Sequence, residues 1–154
     1  MKKLFDFLKT NNYTLATCES FTGGFFASEF TNIPGSSSVF VGGFVCYTNA
    51  FKIKQVGVPE QVIKNFSEVS KEALGAMLEQ TQSKLQADVC FAFTGFAPPI
   101  DKSNKASGLS YLGFKIGQQQ YIYEFYCTKN IARLKYKKLA LKFILKKFEN
   151  IVRK

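Results

Sequence analysis

One serine in this sequence lies where a nucleophile could act. Ser20 belongs to the cluster Glu19-Ser20-Phe21-Thr22-Gly23-Gly24, which follows a strand-forming run and precedes a helix-forming one. A serine on a strand-to-helix turn lies beside free backbone N–H groups, which can stabilise an oxyanion or hold a phosphate. The cluster therefore indicates nucleophilic catalysis or anion binding. An ordinary helix cap has the same pattern and is the alternative.

The composition limits which group could activate this serine. The chain contains no histidine, so it can form neither a Ser-His-Asp triad nor a zinc site with imidazole ligands. A lysine can act as the base when burial or a nearby positive charge lowers its pKa from about 10.4 towards neutrality. Tyr47 and Lys52 follow a second apolar run and are the candidate partners of Ser20. A solvated surface lysine and a core or rim aromatic are the alternatives.

The apolar patterning predicts the elements that would position these residues. The predicted strands are 14–18, 39–47, 89–93, 108–116 and 120–127, and the predicted helices are 2–10, 25–31, 59–65, 71–85 and 131–152, with a helical turn at 49–55. Strands and helices alternate, and two adjacent strands and a helix follow. This order predicts a single α/β domain over residues 1–154, with three α/β/α layers and a mixed, mostly parallel sheet.

Polar residues follow three of the predicted strands. Ser20 follows the first strand, Tyr47 to Lys52 follow the second, and Thr94 and Gly95 follow the third. Ligands of open α/β sheets gather at the carboxyl ends of strands. We therefore expect the three clusters to meet in one site if their strands are neighbours.

The cysteines and the apolar runs indicate the cellular setting. The four cysteines lie far apart in apolar stretches without a C-x-x-C pair, which favours reduced core thiols over disulfides or a metal site: Cys18, Cys46, Cys90 and Cys127. No apolar run approaches the roughly 18 residues needed to span a bilayer. We expect a soluble cytoplasmic protein with no metal, no cofactor and no membrane partner.

The net charge of +10 is concentrated at the C-terminal end of the chain. Residues 128–154 contain ten of the 21 basic side chains and one of the 11 acidic ones. The predicted helix 131–152 has an apolar arc that includes Leu134, Ile144 and Phe148, and its lysines form a separate stripe. We interpret the stripe as a solvated helix face. Nucleic-acid binding through it is the weaker alternative and is not expected.

The motifs between residues 14 and 58 resemble the CinA C-terminal domain family, whose stand-alone members are nicotinamide mononucleotide (NMN) amidohydrolases. That family shows A-E-S-C-T-G-G, then I-P-G-S-S, then G-G-x-x-x-Y-[ST]-N-x-x-K. The corresponding segments here are CESFTGG at 18–24, IPGSS at 33–37 and GGFVCYTNAFK at 42–52. The later segments VSKE at 69–72 and TGFA at 94–97 are also similar to family motifs.

The resemblance implies hydrolysis of the NMN carboxamide to nicotinate mononucleotide and ammonia, in pyridine nucleotide salvage. It implies that Ser20 is the nucleophile and that Tyr47 and Lys52 activate it. The implied substrate-binding residues are Thr22, Gly23, Gly24, Asn49, Thr94 and Gly95. It implies a nucleotide substrate, and together with 17 phenylalanines and seven tyrosines it predicts a homo-oligomer.

Two residues depart from the family pattern. Phe21 stands where the family has a small cysteine, and Pro98 replaces a glycine, which removes an N–H and fixes φ near −65°. A catalytically inactive nucleotide-binding or regulatory module is therefore the alternative to the enzyme.

Overall fold

The computed structural model describes residues 1–153. The strands are β1 (Leu15–Glu19), β2 (Phe40–Val45), β3 (Val89–Gly95), β4 (Leu109–Ile116) and β5 (Gln119–Tyr126). The α-helices are α1 (Lys2–Asn11), α2 (Phe25–Thr31), α3 (Asn49–Phe51), α4 (Glu60–Phe66), α5 (Lys71–Leu85) and α6 (Arg133–Val152). A 3-10 turn covers Ser36–Ser38, and a π-helical turn at Lys52–Val56 continues directly from α3.

The five strands form one mixed sheet in the order β2-β1-β3-β4-β5. β1 pairs in parallel with β2 and β3, whereas β4 is antiparallel to both β3 and β5. The predicted fold class, an α/β domain with a mixed sheet, is confirmed. Because β1 lies between β2 and β3, the carboxyl ends of these three strands lie side by side.

Two apolar layers cover the two faces of the sheet. On one face, α1, α2 and α6 pack Leu8, Phe30 and Phe148 against the sheet. On the other face, α5 packs Leu74 and Met77 against the cysteines of the sheet and against Val56 of the π-helical turn. The central strands are covered on both sides, which explains their continuous apolar sequences. All five residues of β1 are buried.

Helix α6 departs in one respect from its predicted apolar face. Ile144 and Phe148 are buried as expected, but Leu134 is 54% exposed. Tyr136 takes the inward position of the first turn, and its hydroxyl lies 2.6 Å from the Ser110 hydroxyl in the interior. The prediction for Leu134 was therefore wrong because a tyrosine with a buried polar partner was not counted as a core residue. The predicted lysine stripe does face solvent, with Lys138 and Lys142 exposed.

Three of the four cysteines are core thiols. Cys18, Cys46 and Cys90 are buried and free, whereas the free Cys127 is only partly buried and so is not a core thiol.

Within the described part of the chain, no helix combines the length and apolar character that a bilayer crossing requires.

Candidate active site

Ser20 and Lys52 are in direct contact at the carboxyl end of the sheet. The Lys52 Nζ donates a hydrogen bond to the Ser20 Oγ across 3.1 Å. Ser20 is 7% exposed and Lys52 is 2% exposed, so the contact is nearly shielded from water. A buried amine in contact with a serine hydroxyl is the arrangement that a lysine-activated nucleophile requires.

A capped turn delivers Lys52 to this contact. The Thr48 hydroxyl accepts a hydrogen bond from the Phe51 N–H at 3.2 Å, and the Thr48 carbonyl accepts one from the Lys52 N–H at 3.0 Å. The Lys52 carbonyl then accepts from the N–H groups of both Gly57 and Val58, each at 3.0 Å. The backbone of Lys52 is thus fixed on both sides, and the π-helical turn that begins there is of a kind frequent at functional sites.

The tight turn after β1 presents Ser20. Its N–H donates to the Phe93 carbonyl of β3 at 2.9 Å, and its carbonyl accepts from the Gly23 N–H at 3.0 Å. Gly23 and Gly24 have φ values of 61° and 89°, in the left-handed region that a glycine adopts without strain. No described residue accepts a hydrogen bond from the N–H groups of Phe21 or Thr22. Both residues directly follow Ser20 in the chain, so their N–H groups are candidate donors for an oxyanion.

Glu19 has a structural role that its sequence motif did not reveal. Its carboxylate accepts hydrogen bonds from the N–H groups of Phe26 at 3.0 Å and Ala27 at 2.9 Å, in the first turn of α2. It is 1% exposed. Its negative charge therefore satisfies free N–H groups of α2 and fixes the helix against the residue preceding Ser20.

Burial is the main influence on the ionisation of Lys52. It lowers the pKa of the Lys52 ammonium below its ordinary value, and the neighbouring groups Cys46, Cys18 and Glu68 oppose that effect. Removal of water favours the neutral amine, which is the form that can accept a proton from a serine hydroxyl.

Ser20 and Lys52 open into a cleft of about 280 Å³. Of the other residues predicted for the site, Tyr47, Asn49, Thr94 and Gly95 line this cleft. Thr94 and Gly95 are the last residues of β3 and do not belong to the following loop. The Thr94 hydroxyl donates to the Glu68 carbonyl at 2.7 Å, which connects β3 to the segment before α5.

The remaining predicted residues lie elsewhere. Thr22, Gly23 and Gly24 are not among the residues that line the cleft. Thr22 is 2% exposed, and its hydroxyl has no hydrogen-bond partner within residues 1–153. A role for these three residues in substrate binding stays a prediction.

Tyr47 is a largely exposed residue of the cleft lining. It is 61% exposed, and its hydroxyl accepts a hydrogen bond from the Arg133 guanidinium at 3.3 Å. In the described chain, Tyr47 makes no hydrogen bond to Ser20 or Lys52. Its function as an activating partner of the serine therefore stays a prediction.

Arg133 also lines the cleft, although no pattern in the sequence places it there. Its guanidinium also donates to the Pro98 carbonyl at 3.2 Å, which joins the start of α6 to the loop after β3. Residues 97–107 complete the cleft through Asp101, Asn104 and Ser107. Arg133 is one of many basic residues in the C-terminal segment. To predict it as a cleft residue, one must know that α6 begins beside Tyr47.

The lining residues define the chemistry that the cleft can support. Lys52 and Arg133 are its cationic groups, and Glu68 and Asp101 are its carboxylates. No cluster of three or more metal-ligating side chains occurs in the chain as described. A serine in contact with a buried amine can support acyl transfer, and Arg133 can bind an anionic group.

The family model of the CinA C-terminal domain matches residues 1–151. The CinA-like protein of Sulfurihydrogenibium sp. is 39% identical over 140 residues, which are 89% of this chain and 35% of that protein. A Bacillus cytotoxicus protein described as competence-damage inducible is 39% identical over 114 residues, which are 74% of this chain and 28% of that protein. The chain thus spans about a third of the length of these relatives.

Solved structures show the same fold over nearly the whole chain. The competence/damage inducible protein CihA of Agrobacterium tumefaciens has a TM-score of 0.88 and 27% identity, and the alignment covers 97% of this chain and 91% of that one. A CinA superfamily protein of Escherichia coli has a TM-score of 0.89 and 25% identity, with 97% and 86% covered. With the match of the family model over residues 1–151, these likenesses show that the chain belongs to the CinA C-terminal domain family.

Proposed function

We propose that this protein hydrolyses the carboxamide of NMN, which yields nicotinate mononucleotide and ammonia. The observation that carries the proposal is the buried 3.1 Å contact between Lys52 Nζ and Ser20 Oγ at the base of the cleft. A carboxamide is a poor electrophile, and an acyl-enzyme route divides its hydrolysis into two easier steps.

In the first step, the neutral Lys52 amine accepts the Ser20 hydroxyl proton while Ser20 Oγ attacks the carboxamide carbon. The N–H groups of Phe21 and Thr22, from which no described residue accepts a hydrogen bond, are the candidate donors for the resulting oxyanion, and of the two residues Phe21 lines the cleft. Lys52 then returns the proton to the leaving nitrogen, so ammonia departs and an ester forms on Ser20. In the second step, Lys52 deprotonates water, which attacks the ester and releases the carboxylate product and the serine.

Arg133 supports a nucleotide monophosphate as the substrate class. Its guanidinium lines the cleft at the start of α6, and within residues 1–153 its hydrogen bonds go to neutral oxygens, which are the Ala97 and Pro98 carbonyls and the Tyr47 hydroxyl. A guanidinium in this state can form strong paired hydrogen bonds with a phosphate. We therefore assign the phosphate of NMN to Arg133 and the carboxamide to Ser20.

A second candidate function is binding of the nucleotide without turnover, as in a regulatory module. The observation that favours it is the position of Tyr47, whose hydroxyl contacts Arg133 and not the serine or the lysine. A binding module needs Arg133 and the cleft but does not need an activated nucleophile.

Product analysis separates the two candidates. The purified protein is incubated with NMN, and nicotinate mononucleotide and ammonia are measured by chromatography and an enzyme-coupled assay. Catalysis predicts the two products in equal amounts, increasing with protein concentration. Calorimetric binding of NMN without either product would support the regulatory module and overturn the proposed reaction.

A further inference from the structure

Two buried thiols that the proposed reaction does not use lie directly beside its residues. The sulfur atoms of Cys18 and Cys46 are 3.4 Å apart, and both side chains are fully buried. Cys18 lies on β1, two residues before Ser20, and Cys46 follows β2 and precedes the segment that contains Lys52. The thiol pair therefore joins the two backbone segments that bring the serine and the lysine together.

The backbone already holds these segments together at the thiol pair. The Cys46 N–H donates a hydrogen bond at 2.8 Å to the carbonyl of Glu19, which is the residue that follows Cys18. Cys90 and Cys127 do not share this position. The Cys90 sulfur donates to the Phe91 carbonyl, and the Cys127 sulfur donates to the Lys129 carbonyl. Among the four cysteines, only Cys18 and Cys46 have their sulfurs in contact.

The two thiols differ in ionisation, which assigns them different chemical roles. The hydrogen bond with Cys18 lowers the pKa of Cys46 against the opposing effect of burial, and the positive charge that Lys52 carries while it is protonated lowers it further. The same hydrogen bond and burial raise the pKa of Cys18 well above its ordinary value. Cys46 is thus the better thiolate, and thiolates are the form that reacts with oxidants.

We propose that Cys18 and Cys46 form a reversible disulfide in the presence of a peroxide, and that this disulfide switches off the adjacent Ser20–Lys52 site. The Cys46 thiolate attacks one peroxide oxygen and breaks the O–O bond, so Cys46 becomes a sulfenic acid and hydrogen peroxide is reduced to water after protonation. The Cys18 sulfur then attacks the Cys46 sulfur, the S–O bond breaks, and a second water leaves with the Cys18 proton. Two thiols are oxidised and one peroxide is reduced.

The disulfide changes the geometry on which the serine and the lysine depend. The sulfurs must close from 3.4 Å to about 2.05 Å, which draws the start of the Cys46 to Lys52 segment towards β1. The Lys52 contact to Ser20 spans 3.1 Å, so a displacement of this size is enough to misalign it. A misplacement of about 1 Å can lower a catalytic rate by about a hundredfold.

The test uses the full chain with Cys90→Ala and Cys127→Ala, so that Cys18 and Cys46 are its only thiols. The protein is treated with hydrogen peroxide, its free thiols are alkylated, and its peptides are analysed by mass spectrometry. We expect a peptide pair linked through Cys18 and Cys46, which dithiothreitol separates. Recovery of both cysteines alkylated, or of Cys46 only as a sulfinic acid, would overturn the proposal.

The effect on turnover rests on the proposed function and is measured separately. We expect hydrogen peroxide to lower NMN turnover by about a hundredfold and dithiothreitol to restore it. Cys18→Ala and Cys46→Ala variants, each made in the same background, should lose this reversible sensitivity. A linked peptide pair with unchanged turnover would overturn the switch. Absence of turnover in the reduced protein would instead refute the amidohydrolase, while the peptide analysis would still decide whether the disulfide forms.

Discussion

Lys52 Nζ and Ser20 Oγ are joined by a 3.1 Å hydrogen bond although the residues are 32 positions apart in the chain. The parallel pairing of β1 with β2 creates this contact, because it places the turn after β1 beside the segment after β2. The burial that encloses the pair also lowers the pKa of the lysine. The order of the strands thus brings the two side chains together, and their burial favours the neutral form of the lysine.

Replacement of Lys52 by methionine should remove activity and increase stability. The variant keeps an unbranched side chain but has no base for Ser20, so we expect NMN turnover to fall by about 10²–10⁴-fold. It also removes an ammonium that is costly to bury, and we expect the melting temperature to rise by about 2–4 °C. Calorimetry measures the melting temperature, and a turnover assay measures the activity.

Lys54→Met, at an exposed position of the same turn, is the matched control and should change neither quantity. Full activity in Lys52→Met would contradict the role of the lysine.

Activity should increase with pH. The reaction needs neutral Lys52, so kcat/KM should rise by about tenfold per pH unit on the acidic side and reach a plateau above the pKa of this amine. Because burial lowers that pKa, the midpoint should lie below the roughly 10.4 of an ordinary lysine. Stability should rise from that midpoint up to about pH 10.4, since the unfolded chain there still binds a proton that the folded protein has lost. Initial rates across a pH series give the profile, and activity that declines as pH rises through this interval would argue against a lysine base.

Arg133→Gln should weaken recognition of the phosphate. Loss of a charged hydrogen-bonding group costs about 1.5–3 kcal/mol, so KM for NMN should rise by roughly one to two orders of magnitude while kcat changes little. Turnover of nicotinamide riboside, which has no phosphate, should be insensitive to the change. Arg153→Gln is the control, because that arginine pairs with Glu149 at the other end of α6. An equal loss for both substrates would show that Arg133 does not recognise the phosphate.

Glu19→Ala should destabilise the fold through α2. It would leave the N–H groups of Phe26 and Ala27 without their acceptor in a buried position. We expect the free energy of unfolding to fall by about 1–3 kcal/mol. Denaturant unfolding measures the change, with Glu29→Ala on the same helix as the comparison. If both variants are equally stable, the carboxylate of Glu19 does not fix α2.

The sequence was most informative about elements with strong periodic patterns. Helix α5 was predicted at 71–85 and occupies Lys71–Leu85, because Ser70 caps it and its apolar residues repeat on one face. The second strand was predicted at 39–47 and occupies Phe40–Val45. The predicted and observed ends of this strand differ because an apolar run does not specify where backbone pairing ends. The helical turn predicted at 49–55 corresponds to α3 and the π-helical turn that follows it, which ends at Gly57 with a φ of 93°.

The candidate site was only partly accessible to sequence reasoning. Local motifs singled out Ser20 and Lys52, and the family resemblance related them. Arg133 and the contact between Cys18 and Cys46 depend on which strands are neighbours and on where α6 begins. No local pattern contains that information. The sequence showed four widely separated cysteines, whereas the sheet brings two of their sulfurs to 3.4 Å.

Ammonia release from NMN by the unmodified protein and by Ser20→Ala decides whether Ser20 is the nucleophile of an amidohydrolase. The alanine variant removes only the hydroxyl that Lys52 contacts, and a melting curve establishes that it is folded. We expect steady ammonia release by the unmodified protein and a loss of at least about a thousandfold in the variant. Equal release by the two proteins, or no release by either, would contradict it.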